Sequence, residues 1–189
     1  CAHFVSLLPR AKLNLEAEAS TLQPVIANLF TFCFVWSVGG SLAEEAWPGF
    51  DEMVRENFGD ITKFPPNGDV HDFQLLLPEN EWKTWKDLLP DFVYDPKIPY
   101  FNMLVPTVDT MRYGYIFAKS VDVMKPVLFT GHSGVGKSVV IADMMQRLVD
   151  AGEWAALPIS FSAQTSALRT QEGIESKLDK KKKTLLGPP

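Results

Sequence analysis

Apolar residues along this chain gather first in one long run and recur later in short runs. Residues 11–40 are predicted to be helical, because helix formers fill the beginning and a nearly continuous apolar run follows. We expect Pro24 to lie in the first turn of a second, buried helix, where its missing amide costs nothing. Gly39 and Gly40 end that helix, and Cys33 within it is predicted to be a small buried side chain.

Another helix is predicted directly after the two glycines. Ser41 and Glu44 have the spacing of a capping box, in which each side chain bonds the backbone amide of the other residue. Pro48 should break or kink the helix that they open, since proline has no amide to donate.

Proline dominates the middle of the chain. Residues 59–106 hold half of the fourteen prolines, and short apolar runs alternate there with turn signals. This pattern predicts irregular structure with short strands. Trp82 and Trp85, spaced i and i+3, are expected to share one face of a short helical turn and to pack there rather than stack on a ligand.

From residue 107 the pattern alternates between helix and strand. Thr107 or Asp109 can cap the first helix, and Gly152 is placed to stop a later one. The predicted elements, in order, are a helix over 107–124, a strand over 126–130, a loop over 131–138, a helix through Leu148, a strand over 154–163 and an amphipathic helix over 165–183. The order strand, loop, helix, strand, helix is typical of the first half of an α/β nucleotide-binding domain.

The loop carries the clearest chemical signal. Gly131, four further residues and then Gly136-Lys137-Ser138 match the phosphate-binding pattern G-x4-G-K-[ST]. Glycines let backbone amides curl around phosphate oxygens, the lysine reaches the outer phosphates, and the Ser138 hydroxyl can ligate Mg²⁺. The predicted ligands of ATP or ADP are the residues of this loop: Gly131, His132, Ser133, Gly134, Val135, Gly136, Lys137 and Ser138.

Hydrolysis needs a second feature, an acidic residue at the end of an apolar strand that holds Mg²⁺ and positions water. No acidic residue after Ser138 ends an apolar run of four. We therefore expect the acidic strand to be missing from this chain, assign no catalytic residue within it, and do not expect it to hydrolyse ATP alone.

Composition narrows the class of protein. Of 189 residues, 46% are hydrophobic and 22% are charged, which is ordinary for a globular protein. The net charge of -5 argues against a nucleic-acid partner, and two cysteines make no disulfide framework. The apolar run 24–40 is shorter than the roughly 20 residues that a membrane span needs, so no membrane partner is expected.

Two remaining features favour plain interpretations. His3, His71 and His132 lack the spacing of zinc ligands. Lys180 to Lys183 are interpreted as a solvated helix end, where lysines complement the helix dipole, rather than as a nuclear address or an anionic docking patch.

Several stretches, taken in order, resemble a dynein heavy chain at the junction into its third AAA+ module. Residues 30–42 (FTFCFVWSVGGSL) resemble the helical lid that closes the second module, and 105–116 (VPTVDTMRYGYI) resemble the entry into the third. Residues 125–138 (KPVLFTGHSGVGKS) resemble its Walker A strand and loop, and 159–189 resemble the strand and helix that follow. The FSAQTS segment is closer to axonemal than to cytoplasmic dyneins.

The resemblance implies an α/β P-loop NTPase fold of the AAA+ class, with an incomplete parallel sheet, preceded by a mostly helical lid. The implied domains are a lid of the preceding module (1–58), a proline-rich extension (59–104) and the first part of a P-loop module (105–189). It also implies that Val105, Pro106 and Thr107 lie near the adenine. In AAA+ sheets the first two strands are not neighbours, so the two predicted strands would have unpaired edges.

The family implies ATP-driven movement along microtubules by a ring of six AAA+ modules. The implied partners are the neighbouring modules, dynein intermediate and light chains, and microtubules, in the axoneme of a cilium or flagellum or, alternatively, in the cytoplasm. Two other hypotheses stay open: a regulatory module that holds nucleotide without hydrolysis, and an unrelated P-loop ATPase or kinase. An acidic residue at the end of the strand expected beyond the chain would favour hydrolysis over the first of these.

Overall fold

The computed structural model describes residues 19–94, 96, 103–152, 154–182 and 185–187. The chain divides into two compact units, residues 1–140 and 141–189. The helix predicted over 11–18 lies outside the described residues, as does His3.

Helices and two antiparallel strand pairs make up most of the regular structure of the described residues. The elements of the first unit are α1 (Ala19–Val38), α2 (Trp47–Phe58), β1 (Phe73–Leu76), β2 (Glu81–Thr84) and α3 (Val108–Val121). Helix α4 (Lys137–Asp150) contains the boundary between the units. The second unit continues with α5 (Ala167–Glu175), β3 (Asp179–Lys182) and β4 (Leu185–Gly187). Both strand pairs, β1 with β2 and β3 with β4, are antiparallel.

Helix α1 provides the centre of the hydrophobic core of the first unit. Its buried apolar side chains are Leu29, Phe32, Cys33, Val35 and Trp36. Burial raises the pKa of the Cys33 thiol to about 12, and the prediction of a small buried residue there is confirmed. By length and composition alone Leu22–Ser41 could cross a membrane, but core helices meet the same criterion, and this helix lies in the core.

Two predictions about helix starts are wrong. Helix α1 continues through Pro24 without a second start, because its packing outweighs the one amide bond that proline removes. Helix α2 begins at Trp47 and has Pro48 in its first turn, where no amide donor is needed. Ser41 and Glu44 therefore form no capping box, and the short 3₁₀ turn at Glu44–Ala46 has no side-chain cap.

The proline-rich stretch contains the short strands that its pattern predicts. Phe73 and Leu75 of β1 point into the core at a spacing of two residues, as expected for a half-buried strand. The helical turn predicted at Trp82 and Trp85 is wrong, since Trp82 lies in β2. Trp85 is nevertheless a packing residue, buried with its indole N–H donating to the His71 carbonyl at 3.0 Å.

The two apolar segments predicted as strands are not strands in the described structure. Residues 126–130 and 154–163 have no ladder hydrogen bonds, because no other described strand lies alongside either of them. Their apolar side chains remain in water: Leu128 is 85% exposed and Phe161 is 73% exposed. A parallel sheet is therefore not present among the described residues.

The lysine run also differs from the prediction. Helix α5 ends at Glu175, and the described lysines Lys180 to Lys182 lie in β3 rather than at a helix end. The backbone amides and carbonyls of β3 form ladder hydrogen bonds with β4, so they are not available for the hydrogen bonds of a longer α5. Strand β3 is exposed along its whole length, so these lysines are solvated as expected.

Candidate nucleotide-binding site

The predicted phosphate loop has a backbone that glycine makes possible. Gly131, Gly134 and Gly136 have φ angles of 147°, 84° and 84°, in the region where other residues are strained. A Cβ added at Gly134 or Gly136 would meet no protein atom within 4 Å. The glycines are therefore required by the curl of the backbone and not by packing, and the loop is exposed to solvent, where a phosphate can reach it.

Lys137 is held over this loop by its own backbone. Its Nζ donates to the carbonyl of Gly131 at 2.9 Å and to that of His132 at 2.5 Å. An ammonium group has three donors, so two brace the loop and the third is left for a phosphate oxygen. Both carbonyls are uncharged and exposed, and they do not neutralise the lysine charge that an anion needs.

The start of α4 adds further donors beside the lysine. The amides of Val139 and Val140 both donate to the Gly136 carbonyl at 3.1 Å, which begins the helix. The amides of Lys137 and Ser138 precede that point and have no backbone acceptor among the described residues. Free amides at the positive end of a 14-residue helix favour an anion at this position.

Ser138 is the one loop residue predicted to ligate a metal. It lies exposed in the first turn of α4, next to the lysine. The described residues contain no group of three or more His, Cys, Asp or Glu side chains that could hold a metal ion. Mg²⁺ fits this site as an ion held jointly by the Ser138 hydroxyl and nucleotide phosphates, which is its usual manner of binding.

The predicted adenine-side residues lie just before α3. Thr107 caps this helix, as predicted: its Oγ1 accepts from the amide of Thr110 at 3.2 Å, and the Thr110 hydroxyl accepts from the amide of Thr107 at 2.8 Å. Val105 is exposed and Pro106 is half-buried. No backbone hydrogen bond in the described part of the chain joins these residues to the loop, and their position beside the adenine stays a prediction.

Helix α3 is nevertheless linked to the segment in front of the loop. The rings of Phe117 and Phe129 are 6.0 Å apart. After α3 the chain turns by a Schellman motif, in which the amide of Lys125 donates to Ser120 and that of Met124 to Val121. Met124 has a φ of 56°, which a glycine would adopt with less strain.

Met124→Gly is expected to stabilise α3 by about 0.5–1 kcal/mol, because it relieves the left-handed strain at an exposed side chain. The measurement is the free energy of opening of α3 by hydrogen exchange in the full-length protein. Met124→Ala is the matched control, since it removes the same side chain but keeps the strain. Equal protection in both variants would contradict the prediction.

One acidic residue of α4 is engaged within its own helix. Asp143 accepts from the guanidinium of Arg147 at 2.8 Å, one turn along the helix.

The end of α4 is the one that the sequence predicts. Gly152 ends the helix, with a φ of 80° and its amide donating to the carbonyl of Val149.

Comparisons with known proteins give the same family along almost the whole chain. Residues 92–189 match the family described as P-loop containing dynein motor region, and residues 1–87 match the one described as dynein heavy chain AAA lid domain. The human dynein axonemal heavy chain 6 is 39% identical over 97% of this chain. The dynein-1-beta heavy chain of the flagellar inner arm I1 complex of Chlamydomonas reinhardtii is 34% identical over 84% of it. The chain spans 4% of the length of each of these relatives.

Proposed function

The chain belongs to the dynein heavy chain family, and from that premise we propose that residues 131–138 bind ATP or ADP with Mg²⁺ within an AAA+ motor module. The observation that carries the proposal is the open loop with three glycines at positive φ, over which the Lys137 ammonium is braced. The free amides at the start of α4 supply the remaining anion contacts.

Each part of the loop has a distinct role in this proposal. The amides from His132 to Gly136 surround the β-phosphate, Lys137 neutralises the outer phosphates, and the Ser138 hydroxyl ligates Mg²⁺. Val105, Pro106 and Thr107 provide the adenine side, with Thr107 acting through its backbone because its hydroxyl caps α3. Bound Mg²⁺ offsets the negative charge of the phosphates.

The activity of the whole heavy chain is proposed from its relatives. Their names are axonemal and flagellar, which supports ATP-driven movement along microtubules in a cilium or flagellum. In such a motor this segment contributes nucleotide binding, and the acid that positions the attacking water comes from another part of the heavy chain. Neighbouring AAA+ modules, intermediate and light chains and microtubules are the proposed partners.

The same proposal includes the predicted incomplete parallel sheet, which the described residues do not form by themselves. Residues 126–130 and 154–163 would become strands when the strands between them, from elsewhere in the heavy chain, supply ladder hydrogen bonds. Burial of Leu128 and Phe161 in that sheet would remove their exposed apolar surface from water. The domain limits of 1–58, 59–104 and 105–189 remain predictions.

Hydrogen exchange of the full-length heavy chain tests the site directly. Peptides that cover residues 131–140 should become protected when MgATP is added, because bound phosphate engages the loop amides. The ATP concentration at half-maximal protection measures affinity at this site alone, even where other modules bind ATP. Peptides from the exposed strand β3 serve as the internal control. Unchanged exchange at 131–140 with saturating MgATP would refute nucleotide binding here.

A further inference from the structure

A buried arginine on α3 has an incomplete set of partners. Arg112 is 5% exposed, and its Nη2 donates to Asp109 at 2.5 Å on the same helix. Its Nε has no hydrogen-bond partner in the described structure. Burial of a guanidinium with an unused donor is unfavourable, so Arg112 does not stabilise the fold in the way that an apolar residue would.

The remaining contacts of Arg112 are with aromatic rings. Its guanidinium carbon lies 4.7 Å from the ring centroid of Trp47 and 5.1 Å from that of Tyr113. Trp47 is the first residue of α2, so the Trp47 contact joins α3 to a different helix. A cation over a tryptophan face has a preferred position, which restricts how α3 can rotate about its axis.

The side chain of Trp47 is held in turn by a second ring. The ring of His71 stacks on it with centroids 4.4 Å apart and an angle of 18° between the planes. Asp69 Oδ1 is 2.6 Å from Nδ1 of this histidine. Burial alone would raise the pKa of Asp69, but the hydrogen bonds and charge of His71, with the charge of Arg55, outweigh it and lower that pKa. Arg112 therefore contacts an aromatic ring that is itself held by stacking on a buried histidine.

The opposite end of α3 leads to the phosphate loop. Phe117 packs against Phe129, directly before the loop, and the Schellman turn at Met124 fixes the chain between them. A rotation of α3 would move Phe117 and, through it, the segment that enters the loop. The orientation of α3 is thus common to the Trp47 contact and to the loop.

We infer that Arg112 is a positioning residue for the phosphate loop: its contact with Trp47 sets the rotation of α3, and α3 sets the loop through Phe117 and Phe129. The inference rests on the proposed function, since the loop must bind nucleotide for its position to matter. The sequence carries a signal for the burial of this arginine, because Arg112 occupies the same helix face as the core-packed Val108, Met111 and Tyr115.

Arg112→Met in the full-length heavy chain tests this role. The substitution keeps much of the volume and removes the cation, so helix opening of α1 measured by hydrogen exchange should be unchanged or slower. The ATP concentration that half-protects residues 131–140 should rise about five- to tenfold, as is typical when two sites are coupled. A purely structural role would alter the opening of α1 and leave the affinity of the folded loop unchanged.

Lys119→Met is the matched control. Lys119 is a second buried cation on α3, 3% exposed, and it pairs with Asp122 on the same stretch of chain. Its ring contact is with Tyr115 of α3, and it is not among the cations that lie over Trp47. We expect less than a twofold change in the affinity of the loop for this variant.

Trp47→Leu tests the same contact from α2 and serves if Arg112→Met does not fold. It should weaken ATP protection of the loop by a similar factor, and the double variant should be no weaker than either single variant. Additive effects would overturn the inference, as would unchanged affinity in Arg112→Met alongside lost affinity in Lys137→Ala. Unchanged affinity in Lys137→Ala as well would instead refute the proposed nucleotide site.

Discussion

Lys137→Ala is expected to abolish nucleotide retention at residues 131–138 in the full-length heavy chain. The variant removes the ammonium that meets the outer phosphates and also the two bonds that brace Gly131 and His132. Loss of charge-assisted bonds of this kind corresponds to about 3 kcal/mol, or roughly a hundredfold in affinity. The measurement is the ATP concentration that half-protects the loop from hydrogen exchange.

Lys125→Ala is the control for this variant. Lys125 is another exposed lysine shortly before the loop, and its backbone amide, which alanine keeps, donates to the carbonyl of Ser120. Its loss should leave ATP protection of the loop within about twofold of the wild type. In motility assays, the Lys137 variant should glide more slowly along microtubules while still attaching to them. Full nucleotide occupancy in the Lys137 variant would count against the site.

Gly39→Ala should destabilise the first unit by about 2–3 kcal/mol, through overpacking at the end of α1. A Cβ at Gly39 would lie 2.4 Å from Cε1 of Phe50 and 2.6 Å from Nε2 of His71. Neither ring can withdraw easily, since His71 is fully buried and stacks on Trp47, and Phe50 stacks on Phe34. The free energy of opening of α1, from hydrogen exchange in the full-length protein, gives the measurement.

Gly49→Ala is the comparison variant, and it is expected to raise stability where Gly39→Ala lowers it. Gly49 is exposed in α2, and a Cβ there would meet nothing within 4 Å. Alanine should stabilise α2 by about 0.5–1 kcal/mol, because glycine is the poorer helix former. If Gly39→Ala proved as harmless as Gly49→Ala, the close packing of His71 and Phe50 around the end of α1 would be wrong.

The features that local sequence predicted well are those that local chemistry determines. The glycine spacing from 131 to 136 predicts a curled loop because few other backbones can follow positive φ angles. The Thr107 cap and the Gly152 stop are likewise fixed by groups within a few residues of one another. The resemblance of longer segments then identified the family, which the matches over 92–189 confirm.

Features that depend on distant partners were predicted poorly. Residues 126–130 have the composition of a strand, but no strand among the described residues lies beside them, and composition alone cannot supply hydrogen bonds. The lysines of β3 pair with β4 instead of extending α5, and composition alone does not reveal that pairing. The spacing of Trp82 and Trp85 predicts a shared helical turn, but Trp85 is buried against Trp36 of α1 and Tyr115 of α3, which lie far from it in sequence.

The exposed side chains of Leu128 and Phe161 have a consequence for biosynthesis. During synthesis of the heavy chain, these residues leave the ribosome before any covering strand that lies later in the polypeptide has been made. Until those strands are translated, the nascent chain exposes apolar surface, which makes it prone to aggregate with other chains. Cotranslational chaperones that shield such surface are therefore expected to recognise this part of the nascent protein.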